Sequence, residues 1–253
     1  MSLYDDFLKE RIEIGAGMVA KVYSWRGYAY KCFHEGYPAE WIAYEQSQQN
    51  EICKSKLPVP RYYTSDFPNT IKMDLIAGIS MSERFKVAGI DPVLDDFMLW
   101  FQRIHQTEGL ALQSLSECLL KIIDTAPVDE TQKAYARKCF DMVEEIVPEQ
   151  EVLCHMDYHM LNIMYEGSNM RIIDWVNAKN GKPIWDYART YVVFYEYAAG
   201  LKRRYLKRVL FLENYSEEIF MKAIYVNAIY RLTEHDTKRI RRLIQEISPS
   251  VLN

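Results

Sequence analysis

The chain has 253 residues, a length that suits one large domain or two small ones. Apolar residues make up 49% of it and charged residues 26%, which is ordinary for a globular protein and excludes disorder as its main state. There are 31 basic and 35 acidic residues, so the net charge of −4 gives no indication of general binding to nucleic acid or to an anionic membrane.

We expect neither a membrane span nor a secretory signal in this sequence. Its longest apolar candidate, residues 191–201, is too short to cross a bilayer and contains Glu196. The amino terminus has early acidic residues and lacks the apolar segment of an export signal. Five cysteines are scattered and never spaced C-x-x-C, which is typical of free thiols in a reducing compartment. We therefore expect a cytoplasmic protein without membrane or nucleic-acid partners, and the sequence carries no signal for an oligomeric state.

The first third of the chain reads as strands around one helix. Alternating apolar residues predict strands at residues 12–14, 21–25, 28–33, 61–64 and 70–76. In the strand YAYKCF, side chains of Ala29, Lys31 and Phe33 share one face. A helix is predicted over residues 39–53, ended by the Pro58-Val59-Pro60 stretch.

After residue 78 the apolar pattern becomes helical. One stripe of apolar residues runs from Leu94 to Ile104 and another from Ala136 to Ile146. Between later helices, VLCHM and NIMYEGSNMRIIDW read as short strands with a hairpin turn, and residues 186–247 read as almost all helix. We expect an α+β protein with a β-rich lobe, residues 1–77, and a mainly helical lobe, residues 78–253.

The stretch CHMDYHMLNIMYEGSNMRIIDW carries the side chains best suited to chemistry. Mg²⁺ prefers oxygen ligands from one or two carboxylates, completed by substrate phosphates and water, and Asn162 and Asp174 suit that role. Phosphoryl transfer also needs a carboxylate that orients the attacking hydroxyl, and Asp157 suits that role. A zinc hydrolase site built from His155, Asp157 and His159 is the alternative, although it leaves Asn162 and Asp174 unexplained.

This stretch also resembles a known family. HMDYHMLN is similar to the H-x-D-x-H-x-x-N loop of the aminoglycoside phosphotransferases, which share their architecture with choline kinases and protein kinases. Ile173-Asp174-Trp175 and the later GKPIWDYA resemble the same family, with Met156 and Met160-Leu161 as departures from its usual glycine and Pro-Gly. The resemblance implies a bilobal, protein-kinase-like fold and Mg²⁺-dependent transfer of the γ-phosphoryl group of ATP to a hydroxyl of a small molecule. It also implies that Asp186 supports the catalytic loop.

The amino-terminal lobe contains further parts that the resemblance implies. IGAGMVAKVYSW resembles a glycine loop that covers a nucleotide, in which Gly15 and Gly17 would let backbone N–H groups approach phosphates. Lys31 corresponds to the lysine that holds the α- and β-phosphates. Glu45, on the following helix, corresponds to the ion-pair partner of that lysine, with Glu40 as the alternative.

The segment MDLIAG resembles the sequence that joins the two lobes in this family. The resemblance implies that the backbone of Asp74 and Ile76 hydrogen-bonds the adenine base. Because backbone groups would read the base, both ATP and GTP stay open as donors.

No motif identifies the acceptor, and three interpretations stay open: an aminoglycoside phosphotransferase, a kinase of choline, ethanolamine or a sugar, and a nucleotide-binding protein without catalysis. A polycationic aminoglycoside would need an acidic pocket. The acids available for it are Glu196, Glu213, Glu217, Glu218, Glu234 and Asp236. Tyr187, Tyr191 and Tyr195 stand at helical spacing and indicate core packing, with an aromatic wall for a cationic substrate as the alternative. The basic run LKRRYLKR indicates a solvated helix face.

Overall fold

A computed structural model describes residues 2–148 and 150–248. The strands in these ranges are β1 (Ile12–Ala16), β2 (Ala20–Trp25), β3 (Tyr28–Phe33), β4 (Tyr62–Tyr63), β5 (Thr70–Asp74), β6 (Ile79–Ser80), β7 (Val152–Cys154), β8 (Ile163–Glu166), β9 (Asn169–Ile172) and β10 (Lys179–Gly181). The helices are α1 (Leu3–Glu10), α2 (Ala39–Ile52), α3 (Met81–Ala88), α4 (Ile90–Ile104), α5 (Leu115–Thr125), α6 (Glu130–Ile146), α7 (Pro183–Tyr197), α8 (Ala199–Glu213), α9 (Glu217–Glu234) and α10 (Lys238–Glu246). The strand-rich first third and the helical remainder confirm the predicted α+β class.

Contacts between residues group the chain into two compact units. Among the described residues, unit 1 is the chain up to Ala88 together with Met160–Val176, and unit 2 is Gly89–His159 together with the chain from Asn177. The β8–β9 hairpin therefore groups with the amino-terminal part of the chain. The domain boundary after residue 77 stays a prediction.

Unit 1 is built on a five-stranded antiparallel sheet with the strand order β1-β2-β3-β5-β4. Side chains along β3 alternate between the two faces of this sheet. Tyr30 packs with Phe7 of α1, whereas Phe33 packs with Ile42 of α2. Because Lys31 lies on the same face as Phe33, the sheet directs its side chain toward α2.

Helix α1 precedes the first predicted strand, in a segment for which no element was predicted. Its first turn is closed by a capping box, in which Ser2 Oγ accepts from the Asp5 N–H at 3.2 Å and Asp5 accepts from the Ser2 N–H at 2.8 Å. Phe7 is 1% exposed and stacks on Phe67 with ring centroids 4.5 Å apart. Burial of this ring, more than helix propensity, accounts for so short a helix.

A second sheet of unit 1, in the order β6-β8-β9, contains the predicted hairpin. A Cβ atom at Gly78 would lie 1.9 Å from the Tyr165 carbonyl oxygen, so only glycine fits beside β8. Gly167 turns the hairpin with φ of +63°, a left-handed value that glycine adopts without strain. The hairpin brings residues 162 and 173–174 back to the same end of the sheet.

Unit 2 is mainly helical, with β7 and β10 as a two-stranded ribbon. The apolar stripe from Leu94 to Ile104 is buried, as predicted. Tyr187, Tyr191 and Tyr195 of α7 are also buried, which confirms core packing as their structural role. Among the described helices, none is both long and apolar enough to cross a membrane.

The basic run on α8 is only partly a solvated face. Arg204 Nη1 and Arg208 Nη2 lie 2.7 and 2.9 Å from the carboxylate of Asp91, on α4. Arg208 Nε also contacts Asp95 at 2.8 Å. Two of the cations in this run are thus engaged in ion pairs that connect α8 to α4.

Candidate active site

In unit 1, β3 and α2 bring Lys31 and Glu45 together. Lys31 Nζ lies 2.7 Å from Oε1 and 2.8 Å from Oε2 of Glu45, and the two side chains are only 17% and 6% exposed. The Tyr62 hydroxyl also donates to Glu45 Oε1, at 3.2 Å. The two residues therefore form the ion pair expected from the sequence, while its part in nucleotide binding stays a prediction.

Asp174 adds a second negative charge close to this pair. Burial alone would lower the pKa of Lys31, but the charges of Asp174 and Glu45 outweigh it and raise that pKa. Burial raises the pKa of Glu45, although the Lys31 ammonium opposes the shift. Two carboxylates thus act on one ammonium, an excess of negative charge that favours a further cation.

We expect Lys31→Met to lower the free energy of unfolding by about 3 kcal/mol, because it leaves a buried Glu45 carboxylate without its cation. The double variant with Glu45→Gln should regain most of that loss. Urea-unfolding midpoints measure both effects. Lys21→Met is the matched control, since the Lys21–Glu13 pair is 47% and 46% exposed and should contribute little. A Lys31→Met variant as stable as the Lys21→Met control would contradict the prediction.

Asn162 and Asp174 stand at the two ends of the β8–β9 hairpin, where the Ile173 N–H donates to the Asn162 carbonyl at 2.9 Å. Asp174 has φ of +65°, a left-handed conformation that is uncommon outside glycine and marks a constrained position. Its Oδ1 atom is buried and has no hydrogen-bond partner among the described residues. A buried carboxylate oxygen without a donor favours a cation, and the oxygen ligands of Asp174 and Asn162 fit Mg²⁺.

Gly15 and Gly17 lie at the end of β1 and in the turn that follows. Gly17 N–H donates to the Ala20 carbonyl at 2.8 Å. A Cβ atom would lie 3.8 Å from its nearest neighbour at Gly15 and 3.7 Å at Gly17, which is ordinary contact, and neither glycine has positive φ. The local fold therefore does not require glycine at either position, and their role beside phosphates stays a prediction.

Asp74 and Ile76 lie at the end of β5 and just beyond it. The Asp74 carboxylate accepts from the Arg61 N–H at 2.9 Å and the Tyr63 hydroxyl at 2.7 Å, so its side chain fixes this end of the sheet. Asp74 N–H donates to the Arg61 carbonyl at 3.0 Å, whereas Ile76 N–H has no backbone acceptor among the described residues. The Ile76 N–H is thus a donor that the described backbone leaves unused, and its part in adenine binding stays a prediction.

In unit 2, Asp157 lies in the loop that follows strand β7, residues 155–159. The buried carboxylate of Asp186 accepts from the N–H groups of His155 and Met156 at 2.6 and 2.8 Å. His105 Nε2 lies 3.1 Å from the same carboxylate. Asp186 therefore holds the backbone of the loop, in line with the supporting role that the resemblance implies.

The surroundings of Asp157 within unit 2 favour its charged form. Its Oδ2 lies 3.7 Å from His159 Nε2. Burial alone would raise the pKa of Asp157, but His159, followed by Arg189 and His155, holds the pKa well below its ordinary range. Asp157 is therefore a carboxylate at neutral pH, the form that can accept a hydrogen bond from an attacking hydroxyl.

Met156 stands where the family pattern has glycine. Its φ is +62°, which places the residue in the left-handed region, and its side chain is 1% exposed. This conformation explains the family preference for glycine, since a residue with a Cβ incurs a cost of about 1–2 kcal/mol there. The chain accepts that cost in a segment whose backbone is held from several sides.

The zinc alternative is not supported by the described part of the chain. His155, Asp157 and His159 do not converge on a point where one ion could bind all three. The ligand atoms that do converge, within 4.8 Å of one another, belong to His105, Cys154 and Asp186. In that group the Asp186 carboxylate already accepts from two backbone N–H groups and contacts His105.

A β-rich unit with a buried lysine–glutamate pair and a largely helical unit with an aspartate-bearing loop define a kinase-like protein. The model of the phosphotransferase enzyme family matches residues 94–218, just under half of the chain. This range includes the loop around Asp157, the β8–β9 hairpin and helix α7. No curated protein sequence gives a significant match.

Solved structures share this fold at low sequence identity. Aminoglycoside phosphotransferase APH(4)-Ia is 15% identical with a TM-score of 0.67, and the match covers 99% of this chain and 96% of that one. A thermostable mutant of it, in a ternary complex with AMP-PNP and hygromycin B, is 15% identical with a TM-score of 0.66, and the match covers 100% of this chain and 98% of that one. Choline kinase LicA from Streptococcus pneumoniae is 13% identical with a TM-score of 0.62, and the match covers 96% of each chain. The predicted kinase-like fold and the resemblance are confirmed, and with the family match they support a phosphotransferase, that is, a kinase-type enzyme.

Proposed function

We propose that this protein transfers the γ-phosphoryl group of ATP to a hydroxyl group of a small molecule. The observation that carries the proposal is the cluster in unit 1, where a buried ammonium pairs with the carboxylate of Glu45 and is further favoured by the charge of Asp174. One oxygen of Asp174 is buried without a donor among the described residues, as expected for a carboxylate whose partner is a metal ion. The AMP-PNP bound to a protein of the same fold supports a nucleotide as the donor.

In this proposal, Lys31 binds the α- and β-phosphates and Glu45 holds its ammonium in place. Asn162 and Asp174 hold Mg²⁺, which when bound neutralises phosphate charge and helps to orient the γ-phosphoryl group. The turn that carries Gly15 and Gly17 covers the phosphates.

At the far end of the nucleotide, the carbonyl of Asp74 accepts from the adenine amino group and the N–H of Ile76 donates to a ring nitrogen. The Asp74 carboxylate already accepts hydrogen bonds from Arg61 and Tyr63. In this proposal the base is therefore bound by the Asp74 carbonyl and the Ile76 N–H. Recognition through backbone is compatible with any side chain at these two positions.

Asp157 orients the acceptor hydroxyl and receives its proton. The hydroxyl oxygen forms a bond to the γ-phosphorus while the bond to the β–γ bridging oxygen breaks, so that ADP leaves with the bridging oxygen. The lowered pKa of Asp157 keeps its carboxylate ready to accept a hydrogen bond throughout the neutral range. Most of the rate gain in such a reaction comes from positioning and electrostatics.

One observation favours an acceptor with less positive charge than an aminoglycoside. Four of the six acids that could form an acidic pocket in unit 2 are neutralised by the unit's own cations. These four are Glu196, Glu218, Glu234 and Asp236. A fifth, Glu213, accepts from Gln102 and from the Tyr187 hydroxyl. A polycationic acceptor would have to break these pairs in order to bind the acids. The pairs therefore favour an amino alcohol or a sugar over an aminoglycoside as the acceptor.

The proposed function is tested by a transfer screen with radiolabelled ATP and Mg²⁺ across aminoglycosides, choline and ethanolamine, and neutral sugars. We expect phosphoryl transfer to at least one hydroxyl compound, with amino alcohols or sugars above aminoglycosides. Efficient transfer to aminoglycosides would reverse that order and leave the activity upheld. Nucleotide binding with no transfer to any acceptor or to water would contradict the activity and favour a non-catalytic nucleotide-binding protein.

A further inference from the structure

Arg189, one turn beyond Asp186 on α7, contacts the loop that carries Asp157. Its Nε donates to the Met156 carbonyl at 3.2 Å, which is the peptide group directly before Asp157. The next residue, Thr190, donates from its hydroxyl to the Tyr158 carbonyl at 2.8 Å. Side chains of α7 thus hold the backbone on both sides of Asp157.

The peptide that Arg189 holds is one that needs support. Met156 has left-handed φ, and a strained residue of this kind persists only when its surroundings fix it. Asp186 fixes the N–H side of Met156, and Arg189 fixes its carbonyl side. Loss of the carbonyl contact would let this peptide rotate, and its rotation would turn the side chain of the following residue, Asp157.

The guanidinium of Arg189 is itself fixed by helix α9. Its Nη2 forms an ion pair with Glu234, and its centre lies 4.7 Å from the ring centroid of Tyr230. Arg231 Nη1 binds the same oxygen, Oε2 of Glu234, at 3.0 Å. Arg189 therefore connects the end of α9 to the loop, although these elements are far apart in the sequence.

Burial of the charged Arg189 side chain costs desolvation free energy, which an apolar side chain at the same position would not. Arg189 is 1% exposed, and desolvation of a guanidinium is costly unless charge and hydrogen bonds offset it. An apolar residue would fill the same space without that cost. A guanidinium offers two further things here, a rigid donor for the Met156 carbonyl and a positive charge that acts on Asp157.

We propose that Arg189 is a positioning residue: it holds the peptide between Met156 and Asp157 so that the carboxylate of Asp157 points at the acceptor hydroxyl. The pair with Glu234 keeps the guanidinium in the orientation that this hydrogen bond needs. This inference rests on the proposed function, in which Asp157 acts on the acceptor.

The test compares Arg189→Met and Arg189→Lys in the full chain, with ATP and Mg²⁺ as substrate and water as the acceptor. We expect Arg189→Met to lower kcat about a hundredfold, the size of effect that a displacement of about 1 Å can cause, while KM for ATP stays within about twofold. Arg189→Lys keeps a charge and a donor and should regain about tenfold of the lost kcat. Arg208→Met is the matched control, because it removes a guanidinium of unit 2 that pairs with Asp91 and Asp95 on α4 instead of with Glu234 and the loop, and its kcat per folded protein should stay unchanged.

Several outcomes would overturn the inference. A purely structural role would be indicated if Arg189→Met lowers the melting temperature and the nucleotide affinity along with kcat, and if Arg189→Lys recovers none of the lost kcat. If Arg189→Met does not fold, Arg189→Lys decides the question by whether kcat falls while KM for ATP is preserved. An active parent with an unaffected Arg189→Met variant would contradict this inference alone. A parent that transfers phosphate neither to water nor to any hydroxyl compound of the transfer screen would contradict the proposed function and the inference with it.

Discussion

Replacement of Asp157 by alanine is expected to lower phosphoryl transfer by about a thousandfold or more, with little change in affinity for ATP. The carboxylate is ionised at neutral pH because of His159, Arg189 and His155, so it is ready to accept a hydrogen bond from the acceptor. Its loss removes both the orientation of the hydroxyl and the acceptor for its proton. Binding of ATP analogues by calorimetry and transfer of labelled phosphate measure the two quantities separately.

Two further variants make this result specific. Asp157→Asn keeps the size of the side chain and should be nearly as inactive as alanine, because an amide cannot take the proton. Asp141→Ala, at an exposed position of α6, should retain full activity. Equal turnover by Asp157→Ala and the parent would remove Asp157 from this role, and loss of ATP binding would show that it acts on the donor instead.

Asp174→Asn is expected to weaken Mg²⁺-dependent ATP binding by more than about tenfold. Loss of a group that only supports a metal ligand already lowers metal affinity by about that factor, and a direct ligand should matter more. Asparagine is the informative replacement because it tolerates the left-handed φ of +65° at this position, whereas alanine would add strain. The variant removes the charge of a buried oxygen that has no donor among the described residues. Titration of ATP affinity against Mg²⁺ in both proteins measures the effect.

Stability separates this interpretation from a structural role of Asp174. In the absence of metal, Asp174→Asn should unfold at about the same temperature as the parent, because relief of repulsion with Glu45 offsets the loss of attraction to the Lys31 ammonium. A structural carboxylate would instead give a clear loss of stability. An unchanged Mg²⁺ titration, or a large loss of stability without metal, would therefore count against Asp174 as a metal ligand.

The Lys31–Glu45 pair was expected from the family resemblance, and two short-range rules explain why the fold forms it. Alternation along β3 puts Lys31 on the face covered by the next helix, and Glu45 lies on the buried side of that helix. The β8–β9 hairpin was predictable for a similar reason, since its turn residues lie between two short apolar runs. In both places the deciding interactions are local in the chain.

Other features could not be predicted because they depend on distant contacts. Arg189 reads as one polar residue on a helix, and only its contact with the Met156 carbonyl and with Glu234 makes it relevant. Helix α1 has a capping signal in Ser2 and Asp5. Its stability, however, depends on the burial of Phe7 against a sheet whose strands come later in the sequence.

The β8–β9 hairpin has a consequence for how this protein can diversify. Asn162 and Asp174 stand at the two feet of one hairpin, tied together by the Ile173–Asn162 hydrogen bond, while residues 166–169 at its tip are exposed. Exposed tips of this kind are where insertions are best tolerated. Lineages can therefore lengthen or recode the tip while the spacing of the feet is preserved, and the same tip is a rational place to insert an epitope or a fluorescent reporter.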